Sequence, residues 1–297
     1  MDTKELEKTP FGKYALLIDT DSCSVEMGPV CEHVLGEIPV GEWTDEQVSK
    51  VCEYLDGTLT TRLNNHCKHI CENIFLSDFC TIEFKREKCA AVGFFLQKKN
   101  YSVLVYDSEG VRQRKWAHTG NVLKKSSTPK KLKEKMRHIV EYASINNWNQ
   151  NDFSNFCYEL YEEIKTWDLL DFCKACGYST EKKFSEPFNT TGVSSSTAIA
   201  ANLYNDLVKY CGIEHEQKLI SVGDKFRMVY VKPDNKWGFE YIGFLDKFPK
   251  EFYKYLEIDY KTNFDKYFLK PLEHYLKIYN WIAPEVTKQT IFNIDDL

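Results

Sequence analysis

Two carboxylates one residue apart, Asp19 and Asp21, follow directly on an apolar run in the segment Leu16-Leu17-Ile18-Asp19-Thr20-Asp21-Ser22. Hard divalent cations such as Mg²⁺ prefer oxygen ligands, so an acidic pair held on a rigid element can bind one. A pair of such ions supports phosphoryl transfer: one activates the attacking hydroxyl, and both stabilise charge in the transition state. Asp is also common in ordinary turns, and these few residues alone fit either reading. A helix-loop-helix calcium site is excluded. Cys23, Ser24 and Val30 stand where that loop needs its third ligand, its glycine and its closing glutamate.

A second chemistry lies in the lysines. From Lys85 to Arg137 there are fifteen basic residues and only four acids, Glu87, Asp107, Glu109 and Glu134. That is +11 in one stretch, leaving −16 for the rest of a chain whose net charge is −5. A focused basic stripe on an acidic protein is the footprint of a phosphate-backbone contact. Lys124, Lys125, Ser126 and Ser127 precede Pro129 and Lys130, and suit phosphate binding where a helix N-terminus presents its amides. Ser-Ser-Thr-Pro is also a plain helix start, and the two roles are compatible.

Eleven cysteines are irregularly spaced, and Met1 to Pro10 has no apolar core of the kind an export signal needs. The thiols therefore read as reduced. Cys173/Cys176, and Cys67/Cys71 beside His66 and His69, could suggest zinc, but a four-ligand site usually shows two short-spaced pairs. Both groupings read as buried thiols on helices.

The elements that must position these residues can be read from periodicity. Residues from Tyr14 to Met27 form strand, tight turn, strand, with Asp-Thr-Asp between. Residues 28 to 43, with Gly28, Pro29, Gly36, Pro39 and Gly41, read as a loop. Thr44 with Gln47 opens a helix whose apolar positions run from Val48 to Ile74, with a bend expected at Gly57. Strands are expected over Thr81–Phe84, Cys89–Leu96 and Tyr101–Tyr106, joining the acidic hairpin in one small antiparallel sheet. After Gly120, helices are expected over about 129–144, 151–174, 195–211 and 262–280. Two late strands, Lys225–Val231 and Phe239–Leu245, flank a turn at Lys232-Pro233-Asp234-Asn235. The expected fold is α+β: a small antiparallel sheet with helices, then a mainly helical portion with a short β element. No run of about 20 apolar residues is present, so no membrane-spanning helix is expected.

Asp19-Thr20-Asp21-Ser22 resembles the third polymerase motif of B-family DNA polymerases, and Lys98-Lys99-Asn100-Tyr101 resembles their KKRY motif. The run from Thr119 to Pro129 is similar to the start of the thumb in the replicative polymerases of T-even bacteriophages. Phe268-Leu269-Lys270-Pro271-Leu272-Glu273 resembles their near-terminal FxKPLE element. The four motifs occur in the family's order, spanning nearly the whole chain but only the C-terminal third or so of a full polymerase. Leu17 and Ile18 stand where the family has Tyr and Gly, and Asn100 replaces its Arg.

The resemblance implies residues 1–106 as the C-terminal part of a palm, 107–286 as a thumb and 287–297 as a clamp-binding tail. It implies Asp21 as the catalytic metal ligand, Asp19 as its supporting acid and Glu87 as a further acid near the site. If the segment is a strand, Lys98 and Lys99 lie on opposite faces and only one meets the minor groove; by resemblance that is Lys99, with Tyr101 on the same face reaching the primer backbone. Primer-template DNA would also contact Lys124, Lys125, Ser126, Ser127 and Lys130. Ile291, Phe292, Ile294 and Leu297 would dock on a sliding clamp.

The family's partner aspartate, exonuclease and fingers have no counterpart here. The chain is therefore expected to act as a DNA-directed DNA polymerase (a nucleotidyltransferase) only with an N-terminal polypeptide that supplies them and completes a two-Mg²⁺ site. Met1 stands only 13 residues before the Tyr14 strand, which suggests a split gene or an expressed fragment. The expected location is the cytoplasm of an infected bacterial host. The rival expectation is a non-catalytic DNA- or clamp-binding remnant that regulates replication.

Overall fold

The computed structural model describes residues 15–18, 22–36, 42–120, 122–179 and 182–287. The fold is α+β, in two compact units, Met1–Asn121 and Val122–Leu297.

In the first unit, β1 (Ala15–Ile18) and β2 (Cys23–Val25) pair antiparallel, with Ala15 opposite Val25 and Ile18 opposite Cys23. The expected loop after them is instead partly helix, α1 (Gly28–Leu35). Pro29 sits in its first turn, where a missing N–H costs nothing, and Gly36 ends it with φ 75°. Val30, Cys31, Val34 and Leu35 give it an apolar face that packs on the core. Helix α2 (Asp45–Tyr54) starts at the expected capping box: Gln47 N donates to Thr44 Oγ1 at 3.2 Å, and Thr44 N to Gln47 Oε1 at 2.8 Å. Around Gly57 the helix widens into a π-helical stretch, Leu55–Thr60, before α3 (Thr61–Asn73).

The expected strand Thr81–Phe84 does not form. Phe84 exchanges its backbone bonds with a side chain: Asn64 Nδ2 donates to its carbonyl (3.0 Å), and its N–H donates to Asn64 Oδ1 (2.6 Å). A three-stranded antiparallel sheet follows, in the order β3 (Lys88–Gln97), β4 (Asn100–Ser108), β5 (Val111–Thr119). The acidic hairpin is not part of it; among the described residues β1 and β2 form a sheet of their own. Strand β5 pairs with β4 from Ser108↔Val111 to Tyr101↔Thr119, so the first unit runs on past the boundary expected at 106/107. Glu109 and Gly110, both at positive φ, make the two-residue turn between them. Val48, Val51, Cys52 and Leu55 of the helical segment bury themselves against Cys89, Leu104 and Tyr106 of the sheet.

In the second unit, α4 (Lys130–Arg137) continues as a π-helical turn, His138–Tyr142. The helix expected over 151–174 is two helices and a strand. Helix α5 (Gln150–Ile164) stops, Asp168 Oδ1 then accepts from Leu170 N (2.9 Å) to cap α6 (Leu169–Phe172), and β6 (Lys174–Gly177) follows. Helix α7 (Ser196–Cys211) is capped by Ser195 and closed by Gly212 in the left-handed region. The expected late strands are β7 (Lys225–Tyr230) and β8 (Tyr241–Phe244), and the sheet order is β6-β7-β8. Helix α8 (Tyr260–Phe264), a π-helical turn and α9 (Lys270–Tyr279) form the last helical stretch. Phe153, Phe172, Tyr204, Phe244, Phe252, Phe264, Phe268 and Tyr275 are fully buried here. Among the described residues no helix is long and apolar enough to cross a membrane.

Candidate functional site

The expected acidic centre is framed by described strands but is not itself described. Ile18 and Cys23 are paired, and the chain linking them carries Asp19-Thr20-Asp21-Ser22. Asp19 and Asp21 lie outside the described residues, as do Ile291, Phe292, Ile294 and Leu297. Glu87, the further acid, precedes β3 with its side chain exposed and ion-paired to Lys88. Its carbonyl accepts the Glu109 N–H at 2.8 Å, so its backbone is tied to the β4–β5 turn.

Lys98 and Lys99 are not strand residues. Gln97 and Asn100 pair, and the two lysines form the turn between β3 and β4, with Lys99 at φ 59°. Alternation between sheet faces therefore does not separate them, and both are exposed at one hairpin tip. Gly120, just past the end of β5 and at φ +66°, lies close against this turn. A Cβ on Gly120 would stand 1.9 Å from the Lys99 carbonyl oxygen, so only glycine fits there. Tyr101 follows on β4, its ring stacked on Phe95 with centroids 5.7 Å apart.

In the second unit, Lys124, Lys125, Ser126 and Lys130 are exposed and Ser127 is half-buried. The helix cap differs from the sequence expectation. Pro129 occupies the N-cap position and offers no side-chain bond, so α4 starts at Lys130. Thr128 Oγ1 instead donates to the Val122 carbonyl (3.3 Å), and the Ser127 carbonyl accepts from Ala175 N (3.0 Å). These bonds fix the shape of the loop that leads into the N-terminus of α4.

Much of the basic stripe has acidic partners, several from outside it. Lys131 faces Asp171 at 3.8 Å and lies over the Trp167 ring, and Lys135 pairs with Glu163 at 2.7 Å. Arg114 approaches Asp45 at 3.5 Å and donates to the Trp43 carbonyl. Arg86 and Arg112 both pair with Asp107, which is fully buried. Arg86 also reaches Asp56 at 3.1 Å, and Arg112 donates to Ser49 Oγ on α2 at 2.7 Å. The charge sum over the segment thus overstates the cation surface. Among the exposed lysines, Lys98 and Lys99 sit at the β3–β4 turn of the first unit, and Lys124, Lys125 and Lys130 at the approach to α4 in the second.

The buried Asp107 network was not legible in the sequence, where Asp107 counts only as one of four acids in the basic stretch. Its one local signal was an acid placed three residues before Gly110, whose N–H it accepts at 3.1 Å. Burial pushes the Asp107 carboxyl up. The Arg86 hydrogen bond, the Gly110 amide and the two guanidinium charges outweigh that and hold it below its ordinary value.

For metals, the described residues contain no group of three or more His, Cys, Asp or Glu side chains able to hold an ion. Cys173 is buried and Cys176 half-buried, and neither they nor Cys67, Cys71, His66 and His69 assemble such a group. In the second unit an open cleft of about 480 Å³ includes Lys165, Lys232 and Lys261 in its wall. Each has a carboxylate partner: Glu162 at 2.6 Å, Glu257 at 2.5 Å and Asp265 at 2.8 Å.

No protein-family model matches the chain, and no curated protein matches it.

Proposed function

We propose that this chain is the C-terminal palm and thumb of a two-chain DNA polymerase similar to the B-family replicative enzymes of T-even bacteriophages. The reading is carried by one observation: the antiparallel strands β1 and β2 are linked by Asp19-Thr20-Asp21-Ser22. A short paired hairpin is the support that a catalytic acidic turn requires. The lysine turn at Lys98-Lys99, packed close against Gly120, and the exposed Lys124-Lys125 loop before α4 add sites for a DNA backbone.

Asp21, supported by Asp19, would hold Mg²⁺ together with a carboxylate of the second polypeptide. The bound ions supply Lewis-acid stabilisation to phosphoryl transfer. This chain's own residues grip the primer-template, and its tail, residues 289–297, docks on the sliding clamp.

The test is reconstitution. The purified chain alone extends no primer, and adding a polypeptide with the exonuclease, fingers and remaining palm restores Mg²⁺-dependent extension. Robust synthesis by the single chain would overturn the two-chain reading. Duplex binding without any reconstituted synthesis would favour the non-catalytic remnant.

Replacing Lys124 and Lys125 by Ala is expected to weaken duplex binding equally for all sequences. The slope of log affinity against log salt should flatten by about 0.9 for each phosphate no longer neutralised, or about 2 for the pair. A slope equal to the parent's removes these lysines from the DNA surface. Deleting residues 289–297 is expected to leave clamp-independent synthesis intact while abolishing stimulation by the clamp. Tethering multiplies the effect of a weak docking peptide through effective concentration.

A further inference from the structure

The first unit leaves a run of large apolar side chains in water just after α3. Ile74, Phe75, Leu76, Phe79 and Ile82 are each more than half exposed, Leu76 at 85% and Phe79 at 79%. Together they present roughly 500 Å² of apolar surface, taking about 150–250 Å² for a whole aromatic side chain and less for an aliphatic one. A standard protein interface buries about 800 Å² per partner, of which about 56–58% is apolar. Residues 74–82 supply that apolar share by themselves.

The backbone fixes these side chains where they are. Phe75 N donates to the Ile70 carbonyl at 3.2 Å, and Ser77 N to the Cys71 carbonyl at 2.9 Å. Between those bonds Leu76 stands at φ 50°, a left-handed position that glycine or asparagine fills at less cost. A leucine so exposed gains little packing in this chain to offset that strain. Ser77 Oγ then donates to the Phe79 carbonyl at 2.9 Å and accepts from the Phe79 N–H at 3.2 Å. Residues 80–83 belong to no helix or strand, and among the described residues their amides and carbonyls make no backbone–backbone hydrogen bond. Thr81, Ile82 and Phe84 are strand-forming types, yet no described strand pairs with them. A row of unpaired N–H and C=O groups on such a sequence is a template for a strand of another chain.

On the two-chain reading above, the second polypeptide brings a carboxylate to Asp21 and so must meet the first unit. We propose that it docks on residues 74–83, adding an apolar strand along residues 80–83 and covering Phe75, Leu76 and Phe79. Main-chain pairing supplies the attachment, and the exposed aromatic and aliphatic side chains are its anchors. The stretch carries Asp78 and Glu83 and no lysine or arginine, so it repels a phosphate backbone and suits a polypeptide.

The test measures, by calorimetry, binding between this chain and the polypeptide carrying the exonuclease, fingers and remaining palm. The parent is expected to bind it, and Phe75→Asp and Phe79→Asp are each expected to weaken binding about thirty-fold or more, as loss of an interface anchor does. Both side chains are exposed, so the denaturant midpoints of the isolated variants should equal the parent's. The amides of residues 80–83 should exchange with deuterium slowly in the complex and fast in the free chain. Equal affinity of parent and variants would overturn the docking surface and leave the two-chain reading standing. No binding by the parent would overturn both. Fast exchange at residues 80–83 within a formed complex would overturn the strand pairing. A dimer of this chain in sedimentation, dispersed by Phe79→Asp, would assign the surface to a second copy instead.

Discussion

Asp107→Asn is expected to lower the stability of the first unit by about 3–5 kcal/mol, the cost of removing one partner from a buried ion pair. The amide keeps the shape of the side chain but takes the shared counter-charge away from two guanidiniums. Those guanidiniums tie the segment before β3, through Arg86, and β5, through Arg112, to one carboxylate on β4. Arg112 extends the link to Ser49 on α2, so the loss is felt where helix meets sheet. The same carboxylate sets a pH dependence. Asp107 titrates below its ordinary value in the folded chain, so its contribution is full above the unfolded value of about 3.9 and lost as pH falls through the folded one. Denaturant unfolding followed between pH 3 and 7 should show acid lability in the parent that is smaller in the variant. Equal midpoints for parent and variant at pH 7 would sink the assignment.

Local signals written in residue type were legible in the sequence; pairings made across long separations were not. Thr44 and Gln47 announce the start of α2, and Lys232-Pro233-Asp234-Asn235 announces the connection of β7 to β8. Strand β5 was not expected, because Arg112, Arg114 and Lys115 in Val111–Thr119 read as charge rather than as strand. Its pairing with β4 gives that sequence a reason to be extended. Arg86 and Arg112 were counted with the DNA stripe for the same reason: a sequence carries their charge but not the Asp107 that consumes it. Helix α1 was hidden by Gly28, Pro29 and Gly36, which mark its ends instead of a loop. Lys98 and Lys99 lack the Gly or Asn that usually announces a two-residue turn, so the gap between the two expected strands did not declare itself as a tight hairpin. Of the candidate site, the chemistry of the acidic pair and the two lysine groups was legible by type. The partition of those lysines between two units was not.

Asp21→Asn is expected to abolish primer extension by the reconstituted two-chain enzyme while leaving duplex binding by this chain unchanged. The amide is nearly isosteric with the carboxylate, so a hairpin held by Ile18↔Cys23 pairing has no steric reason to rearrange. What changes is charge: a hard divalent ion loses an anionic oxygen ligand. Losing even an outer-shell partner of a bound metal typically costs about 10–100-fold, so loss of a direct ligand should exceed a hundred-fold. Asp19→Asn, altering the supporting acid, should cost less. The two readouts separate causes. A fall in extension with intact duplex affinity assigns Asp21 to the chemical step, whereas a parallel fall in both assigns it to the fold of the hairpin. Retained extension by Asp21→Asn would remove the acidic pair from catalysis and leave the lysine groups as the functional core of a DNA-binding protein.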